Sequence, residues 1–300
     1  MRATRRAPGT LPWFASVPAL VVAALFTIGP LVVVVAFSFM TRPPTGGGVV
    51  FRFTTDAYRS FLFTKDFTGQ LRFNPTYLEV FATSAMQATI TTVVCLLLAV
   101  PLALWIATRS PRAQGLLVLA VTIPFWTNLL VRTYSWMLVL NENGLINRVS
   151  RAMGLGSHEL LYTPLASQLG LIYTFLPFMV LPLYSSLSGF DFRLAEAAYD
   201  LGAHKLTVLR RVILPLARPG IVSGILLVFM PALGSYVQPV LLGGGKVLLI
   251  GNLVAAQFGD SRNWPFGAAL SVIILAVLVA GLLVVRWWAR RTGTTVSISL

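Results

Sequence analysis

Two histidines, nine carboxylates and one cysteine carry the acid–base, metal-binding and nucleophilic chemistry open to this chain of 300 residues. Their spacing is poor for each task. GGGKV, Gly243 to Val247, has the outline of a phosphate-binding loop. Such a loop needs glycine where Val240 stands and serine or threonine after the lysine, where Val247 stands. HELLY, His158 to Tyr162, has the outline of a zinc-protease helix, but a tyrosine replaces the second metal-binding imidazole. His158 and His204 fall on loops expected on opposite sides of a membrane, which separates the two imidazoles. Cys95 is alone, so no intrachain disulfide can form, and it reads as a small packing residue. The chain is expected not to be an enzyme, and to bind no metal or cofactor of its own.

The elements that would have to position any such residue are apolar. Hydrophobic residues make up 56% of the chain and charged ones 11%, with a mean hydropathy of +0.80. That is more apolar area than a soluble core of this length could hide. Six apolar runs stand out, Trp13 to Phe39, Val80 to Ala107, Gly115 to Leu140, Leu165 to Ser188, Ala217 to Leu242 and Gly267 to Trp288, each of at least 22 residues. A helix rising about 1.5 Å per residue needs about 20 residues to cross a hydrocarbon core about 30 Å thick. The expected fold is an all-α membrane protein with six transmembrane helices. It forms one transmembrane domain over 13–288, with an N-terminal tail at 1–12 and a C-terminal tail at 289–300. The first run follows the basic leader MRATRRAPGT, but it is too long for a signal peptide and lacks a small-x-small cleavage site, so it reads as a retained span. The stretch from Thr41 to Leu78, with Pro43, Pro44 and three consecutive glycines, reads as an external loop bearing a short amphipathic element.

Charge sets orientation. With a cytoplasmic N-terminus, 13 basic side chains fall inside and 9 outside, and Arg132 lies within the third run. The long first loop supplies five of those nine, and short loops weigh most in the orientation rule, so both termini are expected inside. Counting the acids as well gives +10 inside and +3 outside, so the net +14 reflects topology. A nucleic-acid-binding chain would place a basic face with interleaved aromatics on a soluble domain, which is absent here. The expected surroundings are membrane lipid. An ion-coupled carrier would set carboxylates or histidines inside its spans. Here Glu79 and Glu142 sit only at span margins, leaving backbone carbonyls as the one route to sodium binding.

Between the fourth and fifth runs lies EAAYDLGAHKLTVLRRVILPLARPG, residues 196 to 220, too polar to enter the bilayer. Asp191 can cap a helix whose Leu194, Ala198 and Leu201 share a face, with Gly202 placed to end it. Ala197 and Ala198 would let another backbone approach closely, and Glu196 sits favourably on the helix dipole. From the residues alone, such a helix either receives a cytosolic protein or lies on the headgroups, held by Lys205, Arg210 and Arg211.

The string EAA, three residues, Gly202, nine residues, then Val212 to Pro215 resembles the EAA loop of permease subunits from bacterial binding-protein-dependent ABC importers. Its one departure is Val212 where isoleucine is usual. The resemblance implies a type I, MetI-like permease fold with a cytoplasmic coupling helix between spans four and five. In that family the loop sits in a groove on a separate ATPase subunit. The residues carried over to coupling are Glu196, Ala197, Ala198, Gly202, Leu214 and Pro215. Five further blocks, PFWTNLLVRTYSW (Pro124 to Trp136), NGLIN (Asn143 to Asn147), YTFLPFMVLPLYSSL (Tyr173 to Leu187), GGGKVLLIGNL (Gly243 to Leu253) and NWPFGAA (Asn263 to Ala269), look like spermidine/putrescine permease subunits. That resemblance implies a bacterial plasma-membrane importer of two related permeases, two ATPases that use ATP and Mg, and an extracytoplasmic solute-binding protein. Import would proceed by alternating access, with Pro177, Pro182, Pro231 and Pro239 bending spans four and five.

A polycation calls for carboxylates and aromatic faces, the latter worth about 0.5–2 kcal/mol each. Glu79 and Asp260, with Trp126, Tyr134, Trp136, Tyr236 and Trp264, are the side chains of those types near the outer ends of the runs. For each aromatic, interfacial anchoring or packing within a span is the stronger reading, and selection can instead be delegated to the binding protein and the partner permease. Arg132 would repel a cation, so it either snorkels or binds carbonyls of a kinked neighbour. The alternative is the same machine with an amino-acid-like, opine or phosphonate solute, for which Arg132 becomes a ligand.

Overall fold

The computed structural model describes residues 17–65 and 70–291. The expected tail at 1–12, Trp13 to Ser16 of the first run, and 292–300 of the expected C-terminal tail lie outside the described residues. Packing divides the chain into two units, one holding residues 17–73 with Ala256–Leu275, the other Asn74–Ala255 with residues 276–291.

In the first unit α1, Val17–Ser38, has one buried residue, Ser38, and turns the rest of its apolar surface outward. Water would not tolerate that surface, whereas hydrocarbon requires it, because α-helix satisfies its own backbone polar groups. Ser38 Oγ lies 2.8 Å from the Tyr58 hydroxyl, and Phe39 stacks on Phe53 at 5.4 Å. The segment read as an external loop is more ordered than its composition implied. It holds α2, Asp56–Leu62, and an antiparallel pair, β1 Phe63–Lys65 and β2 Leu71–Phe73, in the register Phe63↔Phe73. This hairpin is the described departure from an all-α chain. Gly46, Gly47 and Gly48 all have positive φ, which is why three glycines stand there. The turn they make lets Gly47 N donate to Arg262 O at 2.9 Å and Arg42 Nη2 to Ser261 O at 2.8 Å.

The second unit begins with α3, Thr76–Ala107, and continues with α4 Pro111–Trp126, α5 Leu129–Leu140, α6 Leu145–Ala152 and α7 Pro164–Ser188. Then come α8 Arg193–Asp200, α9 Lys205–Val208, a π turn at Leu209–Ile213, α10 Leu214–Leu216, α11 Arg218–Leu233 and α12 Val237–Leu241. α13, Ile250–Phe258, and α14, Trp264–Arg291, complete the described chain. The core is α7 packed against α3 and α11, which also pack on each other.

Small residues make that approach close. On α3, Ala88, Cys95, Ala99 and Ala103 are fully buried. On α11, Gly220 and Gly224 form a small-xxx-small face, and a Cβ at Gly220 would stand 2.5 Å from both Pro182 O and Ser186 Oγ of α7. Gly220→Leu is therefore expected to destabilise the protein by at least about 1–3 kcal/mol, because the clash is with backbone as well as side chain. A thermal melt in detergent monitored by size exclusion checks this. An unchanged transition would mean that α11 does not pack on α7 as described.

Among the described residues, four helices are individually long and apolar enough to cross a membrane, Val17–Ser38, Thr76–Ala107, Pro164–Ser188 and Trp264–Val284. The number rises to as many as 6 if each of two bent pairs is one span. The third expected run, 115–140, is divided, with a bend of 90° between α4 and α5. Thr127 is extended there, and the Asn128 side chain accepts from Leu130 N at 2.8 Å, so a local cap restarts the helix. The fifth run, 217–242, starts at a 73° bend where Pro219 opens α11, and α11 stops at Leu233. Beyond it Gly234 ends the helix and the backbone of Gly251 lies against Gly234 O, too close for any side chain. Pro177 and Pro182 lie inside the single helix α7, and Pro231 and Pro239 lie in α11 and α12.

Candidate functional site

The polar segment after α7 folds into a short helix whose two ends are both closed by local bonds. Asp191 Oδ1 accepts from Arg193 N at 3.0 Å, satisfying one of the unpaired donors at the start of α8. At the other end Gly202 has φ +80, its N–H donates to Tyr199 O at 2.8 Å, and Ala203 N donates to Ala198 O at 3.0 Å. This pair of bonds is the Schellman motif, which needs a left-handed residue at the position Gly202 holds. A Cβ on Gly202 would have nothing within 4 Å, so the glycine serves backbone conformation, with open space beside it.

α8 has a buried foot and an exposed apolar edge. Ala195 is buried, whereas Leu194 is 53%, Leu201 89% and Leu206 56% exposed. Glu196, Ala197 and Gly202 are exposed and Ala198 is half-buried; by helical spacing Ala197 and Ala198 flank the Leu194–Leu201 edge, and Glu196 lies on the opposite side of α8. Leu214 and Pro215 do not. They are half-buried beyond the π turn, next to buried Val208 and Ile213, and they form the stem from which the exposed helix projects. The widened π turn precedes Pro215, which has no N–H to give to the ladder. A continuous path thus runs from the exposed edge through the stem and the 73° bend into α11 and its glycine face on α7.

The aromatic and acidic candidates do not gather into one cluster. Glu79 is exposed in the first turn of α3, Trp126 is 81% exposed at the end of α4, and Tyr134 is 54% exposed on α5. Trp136 meets Tyr173 edge-on at 5.5 Å and packs on the core of Leu140, Ala166 and Leu242. Tyr236, 47% exposed, precedes α12. Among the described residues, no hydrogen bond or ring contact joins any of these five to another. In the first unit, Asp260 is exposed in the turn before α14, and Trp264 opens α14 with its ring 6.4 Å from Phe258. Arg132 lies on α5 with Nε and Nη1 buried and without a hydrogen-bond partner.

A belt of uncharged polar side chains, unremarked in the sequence, crosses the second unit. Ser84 Oγ accepts from Ile250 N at 2.8 Å, Gln168 Nε2 donates to Thr91 Oγ1 at 2.7 Å, and Gln238 Nε2 donates to Thr174 Oγ1 at 3.1 Å. Ser235 Oγ donates to Gln238 Oε1 at 2.7 Å, and Asn252 Nδ2 donates to Tyr236 O at 3.4 Å. The spacing Ser84, Gln87, Thr91, one helical face in an otherwise apolar run, was the available signal.

The two motif outlines have structural explanations. Gly243 to Gly245 form a turn, with positive φ at Gly244 and Gly245, closing under Tyr162, whose N–H donates to Leu242 O at 2.8 Å. His158 lies in a loop clamped by Asn147, whose Oδ1 accepts from His158 N and whose Nδ2 donates to His158 O, both at 2.9 Å. Among the described residues there is no group of three or more His, Cys, Asp or Glu able to hold a metal.

No family model matches the chain. It is 41% identical over 268 residues, 89% of each chain, to the "Spermidine/putrescine transport system permease protein PotB" of Haemophilus influenzae. It is 40% identical over 269 residues, 89% of this chain and 93% of the relative, to the protein of the same name in Escherichia coli. To the "Inner membrane ABC transporter permease protein YdcU" of Escherichia coli it is 31% identical, covering 69% of this chain and 72% of the relative. In fold it is similar to a crystallised bacterial ABC transporter involved in the import of the acidic polysaccharide alginate, with a TM-score of 0.72 over 93% of this chain and 94% of that one at 15% identity. The same transporter, crystallised with a pentasaccharide-bound periplasmic protein, gives 0.73 over 94% of both chains at 14% identity. The chain belongs to the PotB family of ABC-importer permease proteins.

Proposed function

We propose that the chain is the transmembrane permease subunit of an ATP-driven importer that carries a polyamine, spermidine or putrescine, across a bacterial plasma membrane. The observation that carries this reading is the 41% identity over 89% of both chains to a permease protein named for spermidine and putrescine. Six spans, with both termini and α8 on the cytoplasmic side, make up its topology, each bent pair counting as one span. The partners are a second, homologous permease, two ATPase subunits and an extracytoplasmic solute-binding protein. ATP and Mg act on the ATPases, and this chain contributes no nucleotide site.

The exposed edge of α8 is the coupling helix in this reading. An ATPase groove covers Leu194 and Leu201 with Ala197 and Ala198 beside them, Glu196 on the far side of α8 meets its rim, and Gly202 leaves room for its wall. Closure of the ATPase pair moves α8, and the stem at Leu214 and Pro215 passes the movement to α11. Because α11 is seated on α7 through Gly220 and Gly224 with no spare volume, it moves the core rather than sliding over it. Trp126, Tyr134, Trp136, Tyr236, Glu79 and Asp260 are proposed to flank the solute path. A second reading, an anionic or zwitterionic solute, draws on the buried, unpartnered donors of Arg132 and on a 30%-identical relative in Haloferax volcanii named as a probable molybdenum ABC transporter permease.

Uptake of labelled spermidine by the assembled importer in vesicles separates the readings. The polyamine reading expects import that needs ATP and the binding protein and is competed by unlabelled putrescine or spermidine. Import competed only by anionic or zwitterionic solutes would transfer the assignment to the second reading.

A further inference from the structure

Three amide oxygens, Gln87 Oε1, Gln168 Oε1 and Asn252 Oδ1, are buried with no hydrogen-bond partner, all on the polar belt of the second unit. Gln87 is 7% and Asn252 8% exposed. Leaving a buried carbonyl oxygen unpaired is unfavourable, and each such group calls for a reason.

The direction of two of these amides, Gln168 and Asn252, follows from their neighbours. Thr91 donates its hydroxyl hydrogen to Gln87 O at 2.9 Å, so towards Gln168 its oxygen can only accept. Gln168 must therefore present its NH2 to Thr91, as it does at 2.7 Å, and leave its oxygen bare. Tyr236 O is a carbonyl and likewise only accepts, so Asn252 presents its NH2 there and its oxygen is the free end. Gln168 and Asn252 thus spend their NH2 groups internally and keep their oxygens open, while the Gln87 side chain is bonded at neither end among the described residues. Apart from Glu79 in the exposed first turn of α3, the belt's elements α3, α7, α12 and α13 contain no Asp, Glu, Lys, Arg or His.

A protonated primary amine matches this set, having three N–H donors and no acceptor. Fixed carbonyl dipoles can replace the water around a cation without contributing a countercharge, and a path must bind its cargo weakly enough to release it. A desolvated carboxylate would hold the same ammonium far more tightly. Resting on the permease reading above, we propose that Gln87, Gln168 and Asn252 form an amide-oxygen step that receives the ammonium end of the transported amine inside the bundle.

Gln87 provides the test, because its side chain makes no hydrogen bond among the described residues and its replacement breaks none. The full importer is reconstituted with its ATPases and binding protein, and labelled spermidine imported per ATP hydrolysed is measured. Gln87→Met keeps the length of the side chain and removes the acceptor. It is expected to lower import per ATP about ten-fold, the effect of losing one hydrogen bond to a charged group, with binding-protein-stimulated ATP hydrolysis retained. Gln87→Glu is expected to slow import as well, but to retain labelled spermidine on the complex after the binding protein is washed away, which the wild type does not. Wild-type import per ATP in both variants overturns the inference. So does a fall in import matched by an equal fall in stimulated hydrolysis, with no retention in Gln87→Glu, since a merely structural role predicts that. A wild-type complex that imports no amine overturns the functional reading and the inference with it. Spermidine import by the wild type beside an unaffected Gln87→Met overturns the inference alone.

Discussion

Gly202→Val is expected to cut import at least ten-fold while leaving membrane insertion and the amount of folded protein unchanged. The glycine sits at φ +80, where a β-branched residue is a true outlier, and the left-handed conformation costs an ordinary residue roughly 1–2 kcal/mol. No atom lies within 4 Å of where the Cβ would be, so the loss arises from the backbone and not from a clash within the chain. Rather than bear that strain, the end of α8 would reopen, releasing the bonds from Gly202 N to Tyr199 O and from Ala203 N to Ala198 O. Leu201, one residue earlier, would then point elsewhere. Gly202→Asn separates the backbone from the surface, because asparagine tolerates the left-handed region. It is expected to keep most of the import if conformation is what matters, and to fail like valine if a partner needs the open space. Import by Gly202→Val at the wild-type rate would show that the shape of this helix end plays no part in transport. Uptake assays beside a quantified membrane fraction decide among these outcomes.

Leu201→Asp is expected to abolish assembly with the ATPase subunits, weakening it by about 100-fold or more. Leu201 is 89% exposed, so within this chain the substitution removes almost no packing, and the stability of the isolated permease should change by no more than about 0.5 kcal/mol. At a docked surface the same change buries an unpaired carboxylate in place of an apolar anchor, which costs several kcal/mol. Leu201→Met keeps the apolar volume and is expected to assemble normally. The readouts are co-purification of the ATPase subunits and ATP hydrolysis stimulated by the binding protein. Normal assembly of Leu201→Asp would leave the exposed edge of Leu194, Leu201 and Leu206 to the headgroups, as a surface helix.

Much of this was legible in the chain because two signals are local and strong. Apolar length marked α1, α3, α7 and α14, since a bilayer demands it of any spanning helix. The EAA pattern marked α8 and its glycine, because a Schellman end needs one particular backbone conformation and few residues adopt it. Hydropathy failed where it averages over a cap. The run 115–140 averages apolar, yet it bends by 90° at the break between Trp126 and Leu129, where the Asn128 side chain accepts from Leu130 N. It failed likewise at Gly234, where the close passage of Gly251 depends on a contact 17 positions away in sequence. The belt of Gln87, Gln168 and Asn252 was not legible because lone uncharged amides in apolar runs differ neither in charge nor in length from ordinary packing residues. Which of the two ends of an amide is free emerges only when the neighbours of each are known. Among the aromatic candidates the structure adds a packing role beside the proposed one. Trp136 has the right chemistry, but its ring packs on Leu140, Ala166 and Leu242, a role that spacing alone did not separate from lining a path.

The edge of α8 is proposed to lie in the cytosol beneath an ATPase subunit. Cys95 is fully buried, so Leu201→Cys adds a single exposed thiol among the described residues. Labelling that thiol with a membrane-impermeant maleimide in sealed vesicles of either orientation tests the claim directly. The account predicts no labelling in right-side-out vesicles, and labelling in inside-out vesicles only after the ATPase subunits are stripped away. Labelling from the outer face, or labelling from the inner face at the same rate with the ATPase bound, would contradict it.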